Sequence, residues 1–216
     1  NYILSQMTET GVNYANALAD AQKQGFAEAD PTNDVCGFDA ARKLAILSSI
    51  GFRANVTFDD VLVEGIEKID KSDIQYAKDM GYTIKLLTVA LRQENGIALN
   101  VYPAFLPDNH PLSSVKGAYN AIYVTGNIVD DVMFYGRGAG ALPTASAVMG
   151  DVISTAQHIL NGSTGTGMIM TDTKRIPFYS SLKLQNSYYF RLDVDDVTGV
   201  LSQIAAAFAE NDISIC

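Results

Sequence analysis

The feature that most constrains this chain is Asn95-Gly96, set between two runs rich in β-formers, Tyr82 to Leu91 and Ile97 to Tyr102. Asn-Gly supplies the backbone freedom a tight hairpin turn needs, so the two runs are expected to pair antiparallel. A second pair of strand-like runs follows, Ala118 to Thr125 and Val129 to Tyr135, separated by Gly126-Asn127. Helical periodicity lies on both sides of these runs. Four strands between helices predict an α+β fold, one open mixed β-sheet packed on helices.

The helices carry their own punctuation. Residues 1 to 25 read as two pieces, with Thr10 a candidate N-cap for the second and Gly25 its stop. Ala40 to Ile50 continues a helix that opens near Gly37, with Ala41, Leu44, Ala45 and Ser48 on its packing face and Gly51 ending it. Asp59-Asp60 opens a short turn, and Ser72 is expected to cap a helix running to Met80 and stopping at Gly81. Pro103 to Pro111 reads as a loop holding His110, a hydrogen-bonded turn residue by this reading. A further helix runs from about Thr144 to Leu160, and His158 complements its negative end.

Composition excludes several classes. The 216 residues are 48% hydrophobic and 18% charged, which is enough to bury a proper core. A net charge of -9 without a basic block argues against a nucleic-acid surface. The two cysteines, Cys36 and Cys216, form no CxxC pair and gather no histidines, so neither a disulfide framework nor a zinc site is expected, and a reducing cytoplasm fits. No apolar run approaches the ~20 residues that span a bilayer, so no membrane is expected. The chain starts at Asn1 without methionine, as a fragment would.

The chemistry concentrates in Phe26 to Lys43, FAEADPTNDVCGFDAARK. Asp39 and Lys43 are four apart, so on a helix from about Gly37 they project from one face as neighbours. Glu28 and Asp34 sit on the irregular lead-in. A cationic proton donor beside an orienting carboxylate, with further carboxylates to hold an ammonium group, suits chemistry on a small amino acid. On spacing alone such a pair is more often a solvated surface pair. Gly136-Arg137-Gly138-Ala139-Gly140 forms a glycine-rich turn from strand to helix, able to bring bare N-H groups near a ligand or to serve as a tight connection only. It is not a dinucleotide fingerprint, because Pro143 replaces the third glycine.

Past residue 160 the composition changes. Gly162-Ser-Thr-Gly-Thr-Gly167 and Pro177 suit a linker, placed at 166 to 187 between a domain of residues 1 to 165 and a tail of 188 to 216. Tyr188 to Val194 alternates like a strand, a helix of about ten residues ends near Asn211, and Ile213 to Ile215 starts another strand. This tail, with its Asp196-Val-Thr-Gly199 turn, resembles the first half of an ACT domain, a small ligand-binding regulatory module.

Glu28-Ala-Asp30-Pro31, Asp34 and Gly37-Phe-Asp39-Ala-Ala-Arg42-Lys43 resemble the substrate-site signature of homoserine dehydrogenases. Asn1-Tyr-Ile-Leu4, Glu64-Gly-Ile66, Ile84-Lys-Leu-Leu87, His110-Pro-Leu112, Asn120-Ala121 and Gly138-Ala-Gly140-x-x-Pro143-Thr-Ala-Ser146 follow in that family's order, over about residues 1 to 160. The resemblance implies exchange between L-homoserine and L-aspartate 4-semialdehyde with NAD or NADP, in threonine, methionine and isoleucine biosynthesis. It makes Lys43 the proton donor with Asp39 beside it, Glu28 and Asp34 the grip on the substrate ammonium, and Gly140 with Gly138 the contact to the cofactor. It also implies a homodimer, and an amino-acid effector at the ACT-like tail. The family's Rossmann domain and metal-binding loop lie upstream of Asn1, so no metal is expected here and the piece alone should be inactive. The rival expectation is a non-enzymatic amino-acid-binding or assembly module whose ligand site is the tail.

Overall fold

The computed structural model describes residues 1–163, 176–179 and 186–215. Most of the expected linker at 166 to 187, most of Gly162 to Gly167, and Cys216 lie outside the described residues. The chain divides into one unit of residues 1–184 and a second of 185–216.

The first unit opens with α1 (Tyr2–Thr10) and α2 (Tyr14–Lys23). Gly11, at φ 69, ends α1, and the Asn13 side chain caps α2 by accepting from Asn16 N at 2.9 Å. Thr10 is therefore not the cap. Its hydroxyl donates back to Gln6 O at 2.7 Å inside α1. Next come the short α3 (Thr32–Val35) and α4 (Phe38–Phe52). Ala41, Leu44, Ala45 and Ser48 of α4 are buried, as the periodicity predicts. The helix runs through Gly51 and stops at Arg53, which takes the left-handed conformation at φ 51.

A 3-10 turn at Phe58–Asp60, closed by a Thr57/Asp60 capping box, leads into β1 (Leu62–Val63). In α5 (Lys71–Asp79) the cap is Asp70 rather than Ser72. Asp70 Oδ1 accepts from Ser72 N and Asp73 N, and Asp73 Oδ2 accepts from Asp70 N in return. An ionised carboxylate facing the helix's positive end wins over a hydroxyl two residues on.

The hairpin forms but is longer than its propensities suggest: β2 (Tyr82–Gln93) pairs antiparallel with β3 (Gly96–Pro107) along its whole length. Glu94 and Asn95 make the turn, and Gly96 closes the ladder opposite Gln93. Gly96 also admits another backbone, since a Cβ there would lie 2.2 Å from Pro177 O. Ile97 and Phe178 bridge in parallel at this edge of β3. The expected loop from Pro103 is strand as far as Pro107. Strand β1 pairs with β3 only at Asn100 and Val101, so the Pro103 nitrogen faces no neighbour that needs its missing donor.

The sheet is mixed and packed on helices, in the order β1-β3-β2 with β1 parallel to β3. The single four-strand sheet does not form. Strands β4 (Tyr119–Gly126) and β5 (Asp130–Arg137) pair only with each other. One face of β2–β3 closes two clusters: Leu4, Met7, Ala17, Ile74 and Ile84 with α1, α2 and α5, and Leu44, Ile97, Leu99 and Val101 with α4. His110 caps a 3-10 turn (Pro111–Ser114), its Nδ1 accepting from Leu112 N at 3.1 Å, the hydrogen-bonded role expected of it. The last helix of this unit, α6 (Ala141–Leu160), buries no side chain. His158 does lie in its final turn.

In the second unit α7 (Val200–Glu210) forms where expected, behind Gly199 at φ 95. Tyr188 to Val194 and Ile213 to Ile215 carry no strand pairing among the described residues. A strand exists only against a partner, and the described residues supply none for them.

Candidate functional site

The stretch from Phe26 to Lys43 is held down at three places. Its lead-in is pinned by Gln22, whose Nε2 donates to Glu28 O at 3.0 Å and Ala29 O at 3.2 Å. Asp30 starts α3 by accepting from Thr32 N and the Thr32 hydroxyl, and those bonds, the hydroxyl first, lower its pKa. The exit of α3 is clamped against the sheet. Ile66 N donates to Val35 O at 2.9 Å, Glu64 N to Val101 O at 2.7 Å, and both need backbone in close approach.

Two glycines permit this approach. At Gly65 a Cβ would lie 2.4 Å from Val35 O and 2.6 Å from Cys36 Cα, which no side chain survives. Gly37, at φ 80, places a would-be Cβ 3.0 Å from Val101 Cγ1, so the first residue of α4 is set directly on β3. The sequence marked Gly37 as the start of the helix and within the substrate-site signature, but not this contact with β3. Gly65 stood out only through its place in the Glu64-Gly-Ile66 motif.

So positioned, α4 begins with its first-turn Asp39, and Asp39 Oδ2 meets Lys43 Nζ at 2.7 Å. The pairing predicted from spacing is present. The pair lies open to solvent beside the buried seam of α4: the side chains are 63% exposed for Lys43 and 49% for Asp39, while the neighbours Ala41, Leu44 and Ala45 face the core. Next to them Arg42 donates to Asn33 Oδ1 at 2.9 Å and lies 5.3 Å over the Phe58 ring, which in turn meets Phe38 edge to face. Arg42 is thus occupied in bracing α3 on α4 and leaves Lys43 as the cation beside Asp39.

Glu28 and Asp34 are brought together. Glu28 N donates to Asp34 Oδ2 at 3.3 Å, which turns the lead-in back toward α3. Among the described residues Asp34 Oδ1 and both Glu28 carboxylate oxygens accept no hydrogen bond from the protein. The unengaged oxygens of the exposed Glu28 and the part-buried Asp34 can take an ammonium group without breaking any internal bond. Close by, the Cys36 thiol donates to Glu67 Oε2 at 3.3 Å, and burial followed by that carboxylate raises its pKa.

Gly138 and Gly140 lie apart from this stretch, and no hydrogen bond, ion pair or ring contact among the described residues joins the two. At Gly138 a Cβ would overlap Asn120 Nδ2 at 1.6 Å, and Gly138 N donates to Ala118 O at 3.2 Å. Gly140, at φ 119, precedes α6 with no side-chain cap, and only Pro143 would come within 4 Å of a Cβ there. The loop therefore leaves the Ala141 and Leu142 N–H groups of a 20-residue helix open to an approaching ligand, since Pro143 has none and Thr144 N donates to Gly140 O at 3.1 Å. That geometry fits close contact with a cofactor. Among the described residues no cluster of three or more His, Cys, Asp or Glu suited to a metal occurs, and no helix is long and apolar enough to cross a membrane.

Known proteins match this chain closely. The family model described as homoserine dehydrogenase matches residues 1–153. A homoserine dehydrogenase of Mycobacterium tuberculosis is 46% identical over all of this chain and 49% of its own length, and one from Bacillus subtilis is 42% identical over 99% and 49%. The crystal structure of a homoserine dehydrogenase from Thiobacillus denitrificans superposes with a TM-score of 0.88 at 38% identity, covering 100% of this chain and 51% of that one. A hyperthermophilic archaeal homoserine dehydrogenase mutant in complex with NADPH matches at a TM-score of 0.56 and 28% identity, over 72% of this chain and 44% of that one. The chain spans about half the length of the curated relatives it matches. The chain belongs to the homoserine dehydrogenase family.

Proposed function

We propose that this chain is the substrate-binding and catalytic region of an enzyme that interconverts L-homoserine and L-aspartate 4-semialdehyde with NAD or NADP. The observation that carries the reading is the Asp39–Lys43 pair at 2.7 Å on the first turns of α4, in a chain of this family. When bound, the nicotinamide supplies hydride exchange with the C4 carbon of the substrate. What remains for these residues is the proton and the grip.

In the reducing direction the Lys43 ammonium gives its proton to the aldehyde oxygen as that oxygen gains charge. In the oxidising direction the Lys43 amine takes the proton of the alcohol. Asp39 holds Nζ in place through the ion pair at 2.7 Å. Glu28 and Asp34 hold the substrate ammonium with the oxygens they leave unengaged. Gly138 and Gly140 let the cofactor approach the backbone ahead of α6, while the nucleotide itself is bound by the rest of the protein.

Residues 1 to 165 form the catalytic region in this reading, and 188 to 216 the first part of an ACT-like effector module. The open apolar side chains Ile128, Phe134 and Tyr135 on the β4–β5 hairpin support a homodimer, with a second copy covering them.

The test is L-homoserine oxidation by the full-length protein, followed by NAD(P) reduction, beside its Glu28→Gln variant. Wild type is expected to reduce NAD(P), and the variant to show a KM for homoserine raised about tenfold, the worth of one charge-assisted bond. No NAD(P) reduction by the wild type removes the dehydrogenase reading, and an unchanged KM in the variant removes Glu28 from the ammonium site.

A further inference from the structure

We infer that Lys85 is a positioning residue, which fixes the segment Val115–Tyr119 and through it the glycine loop ahead of α6. Lys85 sits on β2 with only 6% of its surface exposed, yet among the described residues no carboxylate pairs with it. Its Nζ donates to Val115 O at 2.5 Å. A buried ammonium held by one carbonyl is costly, and an apolar chain of the same length would pack there with less penalty. The bond it makes is therefore the feature to explain.

That bond belongs to a set. Three of the five residues from Val115 to Tyr119 are tied from β2, α1 and the N-cap of α1: Val115 O by Lys85, Gly117 N by Ser5 Oγ at 3.1 Å, and Gly117 O and Tyr119 O by Asn1 Nδ2 at 3.2 and 2.7 Å. Ser5 is buried like Lys85. Beyond these bonds the segment, an irregular connection between a 3-10 turn and β4, has its Tyr119 N to Lys116 O bond at 3.2 Å and the Lys116–Glu9 ion pair at 3.0 Å.

The far end of the segment abuts the glycine loop. Ala118 O accepts from Gly138 N at 3.2 Å, Tyr119 pairs with Arg137, and the Arg137 guanidinium lies 5.1 Å over the Tyr119 ring. The Tyr119 ring stacks on Tyr135 at 4.9 Å, and Asn120 occupies the space a side chain at Gly138 would need. A shift of Val115–Tyr119 thus moves Gly138, two residues before Gly140, the N-cap of α6. Lys85 touches neither substrate nor cofactor in this account, which rests on the reading that Gly138 and Gly140 face the cofactor.

The test uses the full-length protein with Lys85→Met and, because that variant alters a buried charge, Ser5→Ala as a near-isosteric second cut. Amide hydrogen exchange is read at Gly117 and Gly138, and KM is measured for NAD(P) and for homoserine separately. Both variants are expected to speed exchange at Gly138 and to raise KM for NAD(P) about fivefold, with KM for homoserine within twofold, the usual scale of coupling from outside a site. Unchanged exchange at Gly138 in Ser5→Ala, or equal rises in both KM values, overturns the inference. Faster exchange at Gly138 with an unmoved KM for NAD(P), in the variants and in Gly140→Ala alike, retains the mechanical link and rejects the cofactor reading of the loop instead.

Discussion

Two lysines in this chain illustrate opposite uses of one side chain. Lys43 is exposed and paired with Asp39, an arrangement worth only about 0.3–0.5 kcal/mol to the fold. Its spacing from Asp39 was readable in the sequence because i,i+4 geometry is local to one helix. Lys85 was not readable as a buried residue, since a lysine in Ile84-Lys-Leu-Leu87 alternates onto what looks like a solvent face. It is covered only because the chain returns thirty residues later at Val115. Burial, then the like charge of Lys116, lowers the Lys85 pKa from 10.5 to about 8, partly offset by Glu9. Between about pH 8 and 10.5 the unfolded chain holds a proton that the native one has released, so stability contributed by this site rises with pH across that window. Urea unfolding of wild type and Lys85→Met at pH 8 and pH 10 should show the difference between them move in favour of wild type at the higher pH. A difference that stays constant, or moves the other way, contradicts the assignment.

At the scale of elements, the packing face of α4 and the presence of the hairpin were legible because periodicity and turn composition act over a few residues, although Glu94-Asn95 makes the turn and Gly96 joins the ladder. Several boundaries were not. Ser72 and Asp70 are both competent caps, and Asp70 prevails through its carboxylate at the helix's positive end and its reciprocal bonds with Asp73. Pro103 looked like the end of a strand, but its register places it beyond the two residues that β1 covers. Leu62–Val63 is too short to announce itself as a strand and forms by borrowing β3. The same proximity makes Gly65 the hinge pin of the site, with Val35 O where a Cβ would stand. Gly65→Ala is expected to destabilise the protein by about 1–3 kcal/mol, the usual cost of forcing extra volume into a packed contact, read as a lowered urea midpoint. A loss under about 0.5 kcal/mol shows that the Val35–Gly65 approach does not set the register of the site.

For the whole molecule, the fold class was legible and the arrangement of strands was not. A mixed sheet on helices follows from the order of elements, whereas the separation of β4–β5 from β1-β3-β2 depends on contacts no local pattern encodes. The tail shows the same limit, with α7 formed and no ladder beside it. Family membership over residues 1–153 and the exposed pair on α4 together make a claim that separates chemistry from stability. The most direct test of that claim is Lys43→Ala in the full-length protein, measured for both homoserine oxidation and thermal unfolding. The account predicts kcat lower by ~10²-fold or more, the scale of a positioned acid-base group, with the unfolding midpoint nearly unchanged because the pair is exposed. Turnover close to that of the wild type would contradict it.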